Sequence, residues 1–304
     1  EPIPEDPESY KGHPGRAPHR KRLRQQAFWG AGGLLLIVAV LVLLASDPED
    51  ETVAVRPRSA APSALREHLS EEQRQGFWIE KILDEPRVFL LHNLLSTDEV
   101  EELIETGEDK GMTTAMITPY GSNELVPSST RTNTAAWLDF RQTPLVTRLE
   151  DKIAAVTGTR PEDAENLQIL HYADGSQYFH EHRDYFDPKE DPPANFEQGG
   201  NRICTVITYL KTPRKGGETY FTKLDLALKA RPGDAIVFWN VKRDGSVDPD
   251  TYHSALPPRD GDKWVAVKWI HETRYQETDG PAQQPSPPSK RGVELQRVKV
   301  DMAA

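Results

Sequence analysis

The sequence predicts an α+β fold that is mainly β: a jelly roll with flanking N-terminal helices, preceded by a single transmembrane helix. Three observations predict it. Residues 27–45 (AFWGAGGLLLIVAVLVLLA) form an uncharged apolar run. Two amphipathic helical patterns lie between residues 97 and 157. After residue 165 the chain breaks into short strand-like runs parted by Gly, Pro and Asp, the texture of a sandwich or rolled sheet with helices on one side.

In chain order, residues 1–26 read as a cytosolic N-terminal tail and 27–45 as a signal anchor. As a helix the apolar run reaches roughly 28 Å, enough to span a bilayer. A buried core helix would keep a polar stripe, and 34–44 has none. Arg16, Arg20, Lys21, Arg22 and Arg24 precede the run, whereas Asp47, Glu49, Asp50 and Glu51 follow it. The positive-inside rule therefore puts the tail in the cytosol and everything downstream on the lumenal side. The exit Leu43-Leu44-Ala45-Ser46 lacks a small-x-small cleavage site, so the anchor is expected to be retained. Opening at Glu1 rather than Met, the chain is expected to have its true start upstream.

Residues 46–76, rich in charge, Ala and Pro, read as a stem holding a folded domain of 77–275 away from the membrane. Residues 276–304 lack apolar periodicity and read as a loose Pro-rich tail. Within the domain, Ser96 and Glu99 have capping-box spacing, and Val100, Leu103 and Ile104 supply an apolar stripe, predicting a helix over 97–107. Thr143-Pro144 opens a second helix whose Leu145, Leu149, Ile153 and Val156 share a face, and Gly158 stops it. Strands are predicted at 167–172, 177–186, 202–210, 218–221, 234–240, 251–256 and 263–271.

Composition excludes several classes. With 304 residues, 48 acidic against 37 basic (net −11), the chain lacks the Lys/Arg excess that a phosphate-backbone binder needs, so no nucleic-acid partner is expected. One cysteine, Cys204, rules out an internal disulfide or a Cys-rich zinc module.

His182-Arg183-Asp184 lies in the strand predicted at 177–186, and residues two apart on a strand share a face. Alone, H-x-D arises by chance in many proteins. His253, on a strand that can lie beside the first, adds a second imidazole. Two His and one carboxylate form the facial set that holds non-haem Fe(II) with positions left for reactants. Taken singly, each His is more simply a polar surface residue or a hydrogen-bonded core one. Ten residues beyond His253, Lys263 sits in an otherwise apolar strand. Pointing outward it is ordinary; pointing inward, a buried ammonium calls for an anionic partner, which a dicarboxylate cosubstrate supplies.

Several longer stretches carry a resemblance: EPRVFLLHNLLSTDEVEELI (85–104), RTNTAAWL (131–138), YADGSQY (172–178), HRD (182–184), NRICTVITYL (201–210), GGETYF (216–221), PGDAIVFWN (232–240) and HSALPPRDGDKWVAVKWIHE (253–272). Over roughly 80–275 the chain resembles the catalytic domain of the 2-oxoglutarate- and Fe(II)-dependent prolyl 4-hydroxylases, especially the membrane-anchored plant and algal type. The resemblance implies a double-stranded β-helix, another name for the jelly roll. It also implies conversion of peptidyl-proline to 4-hydroxyproline with O2 and 2-oxoglutarate, releasing succinate and CO2.

Residue by residue, the resemblance implies that His182, Asp184 and His253 bind iron. Lys263 pairs with the distal carboxylate of 2-oxoglutarate, beside Thr219 and Tyr172. Tyr178, Arg202, Trp269 and His271 line the peptidyl-proline site. Ascorbate is implied as a further cofactor, and proline-rich secretory polypeptides as substrates, with the domain lumenal in the endoplasmic reticulum or Golgi. One departure stands out. The family places two residues between this Tyr and the iron-binding His, whereas Tyr178 and His182 enclose three, so a bulge or insertion is expected and His180 falls near the metal. The alternatives are another 2-oxoglutarate-dependent protein hydroxylase such as a lysyl hydroxylase, a cupin-like binding module, or a membrane-tethered pseudoenzyme that only binds peptide.

Overall fold

The computed structural model describes residues 58–122 and 124–276. The predicted cytosolic tail, the apolar run 27–45 and residues 277–304 lie outside the described residues. Among the described residues, no helix is long and apolar enough to cross a membrane.

Two antiparallel sheets form the body. The larger orders its strands β1 (Arg58–Ser59), β2 (Trp78–Leu83), β3 (Val88–His92), β14 (Ala235–Trp239), β10 (Arg202–Lys211), β17 (Lys263–His271), β8 (Leu167–Tyr172), β7 (Thr134–Leu138) and β4 (Thr113–Thr114). The smaller runs β13 (Leu226–Leu228), β12 (Thr219–Phe221), β15 (His253–Ala255) and β9 (Phe179–His182). Two-stranded pairs β5 (Met116–Ile117) with β6 (Val126–Pro127), and β11 (Lys215–Gly216) with β16 (Pro258–Arg259), complete the set. The architecture is the expected mainly β jelly roll with few helices.

Both faces of the large sheet are covered, which explains why its central strands read as unbroken apolar runs rather than alternating ones. Val206, Val237, Ala266 and Ile270 face the helices, while Ile207, Ile236, Phe238 and Val265 face the small sheet. All nine residues of β17 are buried.

Four helices lie on the outer face: α1 (Ser63–Arg66), α2 (Glu71–Gly76), α3 (Thr97–Lys110) and α4 (Pro144–Thr157). The Ser96/Glu99 capping box is formed in both directions, at 3.2 and 3.0 Å. α3 runs three residues past its predicted end and stops at Gly111, where φ is 93°. α4 begins at Pro144 behind a Thr143 cap and ends at Gly158 in the left-handed region, as its sequence predicts.

Two predictions change here. The stem reading fails for its last part: Leu65 and Leu69 are buried in the helix-side core, so the folded unit reaches N-terminal of residue 77. The strand predicted over 177–186 spans only Phe179–His182. The β2–β3 hairpin and β7 escape strand reading; β2 shows no alternation, being half-buried except at exposed Lys81.

Candidate metal centre and its cavities

The small sheet sets the geometry. β9 and β15 pair so that His182 stands directly opposite His253, and their rings lie 4.2 Å apart. Asp184 falls just beyond the end of β9, so a turn rather than strand alternation brings its carboxylate back. Its Oδ1 lies 3.6 Å from His182 Nε2 and its Oδ2 3.8 Å from His253 Nε2. Among the described residues, these three are the one His/Cys/Asp/Glu group with metal-ligand spacing, one ligand atom from each lying within 4.8 Å of the others.

The donor set fits a divalent ion. His182 Nδ1 is 2.8 Å from the His180 carbonyl, and His253 Nδ1 is 3.0 Å from the Thr251 carbonyl. A carbonyl only accepts, so each Nδ1 carries a proton and Nε2 is the ring nitrogen turned toward the cluster. Burial first, then the neighbouring His253, pulls His182 down to about 3, so its imidazole is neutral. Burial alone would raise Asp184, but His253, His182, Arg202 and the Thr205 hydroxyl outweigh it and hold it below the ordinary carboxylate value. A neutral His182 imidazole beside an ionised carboxylate suits Fe(II), which takes its protein ligands deprotonated.

Lys263 opens β17, opposite Tyr172 at the end of β8. It points inward and is 1% exposed. Its ammonium lies 5.0 Å from the Tyr209 ring centre and 5.4 Å from that of Tyr172. Among the described residues no carboxylate is within ion-pair distance of it. Burial pushes it down to about 7, with Glu218 opposing weakly from further away. Thr219 is buried nearby, its hydroxyl 2.9 Å from that of Tyr209. Tyr172, Thr219, Lys263, His182, Asp184 and His253 all border one narrow cavity of about 30 Å³ between the sheets.

A second cavity of about 750 Å³ opens from the same centre to solvent. Arg202 and Trp269 line it, with the guanidinium 4.7 Å over the indole. Arg202 is fixed by Glu165, which it meets with two nitrogens. Burial would raise Glu165, yet Arg202 and His271 bring it down to about 2.

The structure does not bring every predicted side chain to the cavity walls. His271 stands behind the wall, with Nε2 2.9 Å from Glu165 and Nδ1 3.0 Å from the Gly200 carbonyl, so it braces Glu165 instead. Tyr178 turns outward: its hydroxyl donates to the Ser129 carbonyl at 3.2 Å and its ring stacks on His180. Phe179 takes the inward place, stacked on His182 with ring centres 3.6 Å apart and bordering both cavities. The reason is a bulge. His253 pairs with His182 and Ala255 with Phe179, so two steps on β15 face three on β9. The extra residue turns Phe179 onto the face of His182 and leaves His180 at the rim of the larger cavity. Counted from Phe179, two residues precede the metal-facing His, and the apparent insertion disappears. Arg131, buried between the cavities with its guanidinium 4.8 Å over Phe179, is a further wall residue that side-chain chemistry alone did not single out.

Comparison with known proteins agrees with this centre. A family model described as the 2OG-Fe(II) oxygenase superfamily matches residues 167–271. "Probable prolyl 4-hydroxylase 7" of Arabidopsis thaliana is 36% identical over 209 residues, 63% of this chain but only 64% of that protein's length. "Prolyl 4-hydroxylase 2" of the same plant is 30% identical over 260 residues, covering 79% of this chain and 80% of its own. Among solved structures, the viral collagen prolyl hydroxylase vCPH from Paramecium Bursaria Chlorella virus-1, in its 2OG complex, aligns at a TM-score of 0.48 and 24% identity, over 60% of this chain and 94% of that one. From its sequence relatives, the chain belongs to the prolyl 4-hydroxylase family of 2OG-Fe(II) oxygenases.

Proposed function

We propose that the chain is a membrane-anchored prolyl 4-hydroxylase acting on proline-rich secretory polypeptides, with Fe(II), 2-oxoglutarate and O2, and with ascorbate as supporting reductant. The observation that carries this is the meeting of two imidazole Nε2 atoms and one carboxylate at the junction of a narrow cavity ending at a buried ammonium and a wide one open to solvent. When bound, the iron supplies activation of dioxygen coupled to decarboxylation of 2-oxoglutarate to succinate, with hydroxylation of proline C4 as the result.

The protein's own part is placement. His182, Asp184 and His253 would hold the metal, and a set of three protein ligands would leave positions for reactants. Lys263 receives the distal carboxylate of 2-oxoglutarate, with Thr219 and Tyr172 as hydrogen-bonding neighbours; burial makes this charge pair strong and directional. Arg202 and Trp269, locked together by Glu165, present a flat rigid wall to the peptidyl-proline, and His271 keeps that wall in place. Residues 27–45 anchor this domain in the endoplasmic reticulum or Golgi membrane with the N-terminal tail cytosolic, a reading supported by the charge asymmetry across that run.

The test is incubation of the full chain with proline-rich peptide, Fe(II), ascorbate and 2-oxoglutarate. The expected result is a mass gain of one oxygen atom per modified proline, with succinate released in equal amount. No gain on any collagen-like or polyproline-type peptide overturns the assignment.

A further inference from the structure

We propose that Thr205 and Asn240 are positioning residues, a buried hydrogen-bonded relay that holds Asp184 with one oxygen engaged and the other presented to the ion. The proposal rests on the reading of His182, Asp184 and His253 as ligands of a divalent metal.

Thr205 lies in β10, and Asn240 directly follows β14; both are 0% exposed. Asn240 is fixed through its backbone, whose N–H donates to the Ile203 carbonyl at 2.9 Å and whose carbonyl accepts from Asp248 at 2.8 Å. Its side-chain Nδ2 donates to Thr205 Oγ1 at 2.9 Å. Thr205 Oγ1 in turn donates to Asp184 Oδ2 at 2.8 Å. The polarity of this chain is forced. An ionised carboxylate has no proton to give, so the proton in the second contact belongs to Thr205, whose oxygen must then accept from the amide nitrogen. Asn240 is thereby held in one amide orientation, which leaves its Oδ1 buried with no partner among the described residues.

That orphaned oxygen is informative. An apolar residue of similar size would fill the same space without stranding an acceptor, so the stability of the fold alone does not call for an asparagine here. What the amide uniquely supplies is a donor that orients the Thr205 hydroxyl. With Oδ2 engaged by that hydroxyl, Asp184 cannot swing to chelate with both oxygens. Oδ1 stays on the His182 side, and the open side of the centre stays free for cosubstrate.

The experiment measures Mn(II) affinity of the metal-free full chain by calorimetry, and the visible absorption of the Co(II)-loaded chain, for Thr205→Val, Thr205→Ser, Asn240→Asp and Asp184→Ala. Thr205→Val keeps the shape and loses the proton. It is expected to weaken Mn(II) binding roughly 10–100-fold and alter the Co(II) bands, whereas Thr205→Ser restores most of both. Asn240→Asp sets a second carboxylate against Thr205 Oγ1, competes for its proton, and is expected to weaken binding in the same way. Should Thr205→Val fail to fold, unchanged affinity in Asn240→Asp is enough to overturn the relay. Loss of binding in Asp184→Ala with wild-type affinity in Thr205→Val and Asn240→Asp overturns the relay alone. Wild-type affinity in Asp184→Ala overturns the metal reading and the relay with it.

Discussion

At the scale of single residues, the inward ammonium of Lys263 ties function to pH. Ordinary lysine holds its proton to about 10.4, whereas burial brings Lys263 down to about 7. Between these values the unfolded chain binds more protons than the folded one, so this group favours folding increasingly as pH rises through that window. With Lys263 as the proposed anchor of the cosubstrate, binding runs the other way. A distal carboxylate needs the ammonium form, so 2-oxoglutarate affinity is expected to fall as pH climbs above about 7, and binding at about pH 8 to take up close to one proton. Calorimetry in buffers of different ionisation heat measures that uptake; a flat 2-oxoglutarate KM across this range would count against Lys263 as the anchor. Residue type alone left Lys263 open, since an outward lysine on a strand is ordinary; the family resemblance pointed it inward, and its 1% exposure agrees. Nor could residue type rank Tyr178 against Phe179, since that choice depends on a bulge that neither residue encodes by itself. Phe179→Ala removes the ring stacked on His182 and is expected to raise the 2-oxoglutarate KM markedly, while Tyr178→Ala, whose ring lies outside both cavities, leaves it near wild type.

At the scale of elements, legibility followed the physics of each segment. The α4 boundaries were readable because a threonine cap, a proline at the first position and a left-handed glycine act locally. The strand carrying His182 is predicted too long because aromatic residues that favour strands stand on both sides of the polar run, Tyr178 and Phe179 before it and Tyr185 and Phe186 after it, although pairing ends at His182. In α3 the predicted end at 107 falls on a glycine that in fact lies inside the helix. Gly107 is there for packing: a Cβ added to it would stand 2.8 Å from Ile169 Cγ2, in β8 beneath. Helix propensity favours alanine by about 1 kcal/mol. Overpacking of this kind costs about 1–3 kcal/mol, because the neighbour is a branched side chain fixed in the sheet. Gly107→Ala is therefore expected to be neutral to destabilising despite the better helix former, and a raised melting temperature would show that α3 can lift off the sheet freely.

At the scale of the whole molecule, the boundary of the folded unit decides what can be expressed as a stable domain. Composition placed it at 77, since residues 46–76 carry few apolar side chains and read as a spacer. Few is not none. Leu65 and Leu69 are 0% and 3% exposed, set in the helix-side core. Gln73 links the helices, donating to the Leu94 carbonyl at 3.3 Å and to Glu99 at 2.7 Å, and accepting from Lys152 at 3.3 Å. Lys152 is itself 1% exposed and relies on Glu99, Gln73 and the Leu94 carbonyl to satisfy its ammonium. Removing residues before 77 uncovers the cavity filled by two leucines, worth about 3–6 kcal/mol of burial, and strips one partner from a buried ammonium. That is a large share of the 5–15 kcal/mol that typically separates a folded domain from its unfolded chain. A chain beginning at 77 is therefore expected to unfold at markedly lower urea than one beginning at 58, with the metal centre intact in whatever fraction remains folded. Equal midpoints for the two chains would mean that the segment 58–76 adds nothing to the folded unit, and that the core closes over the gap without it.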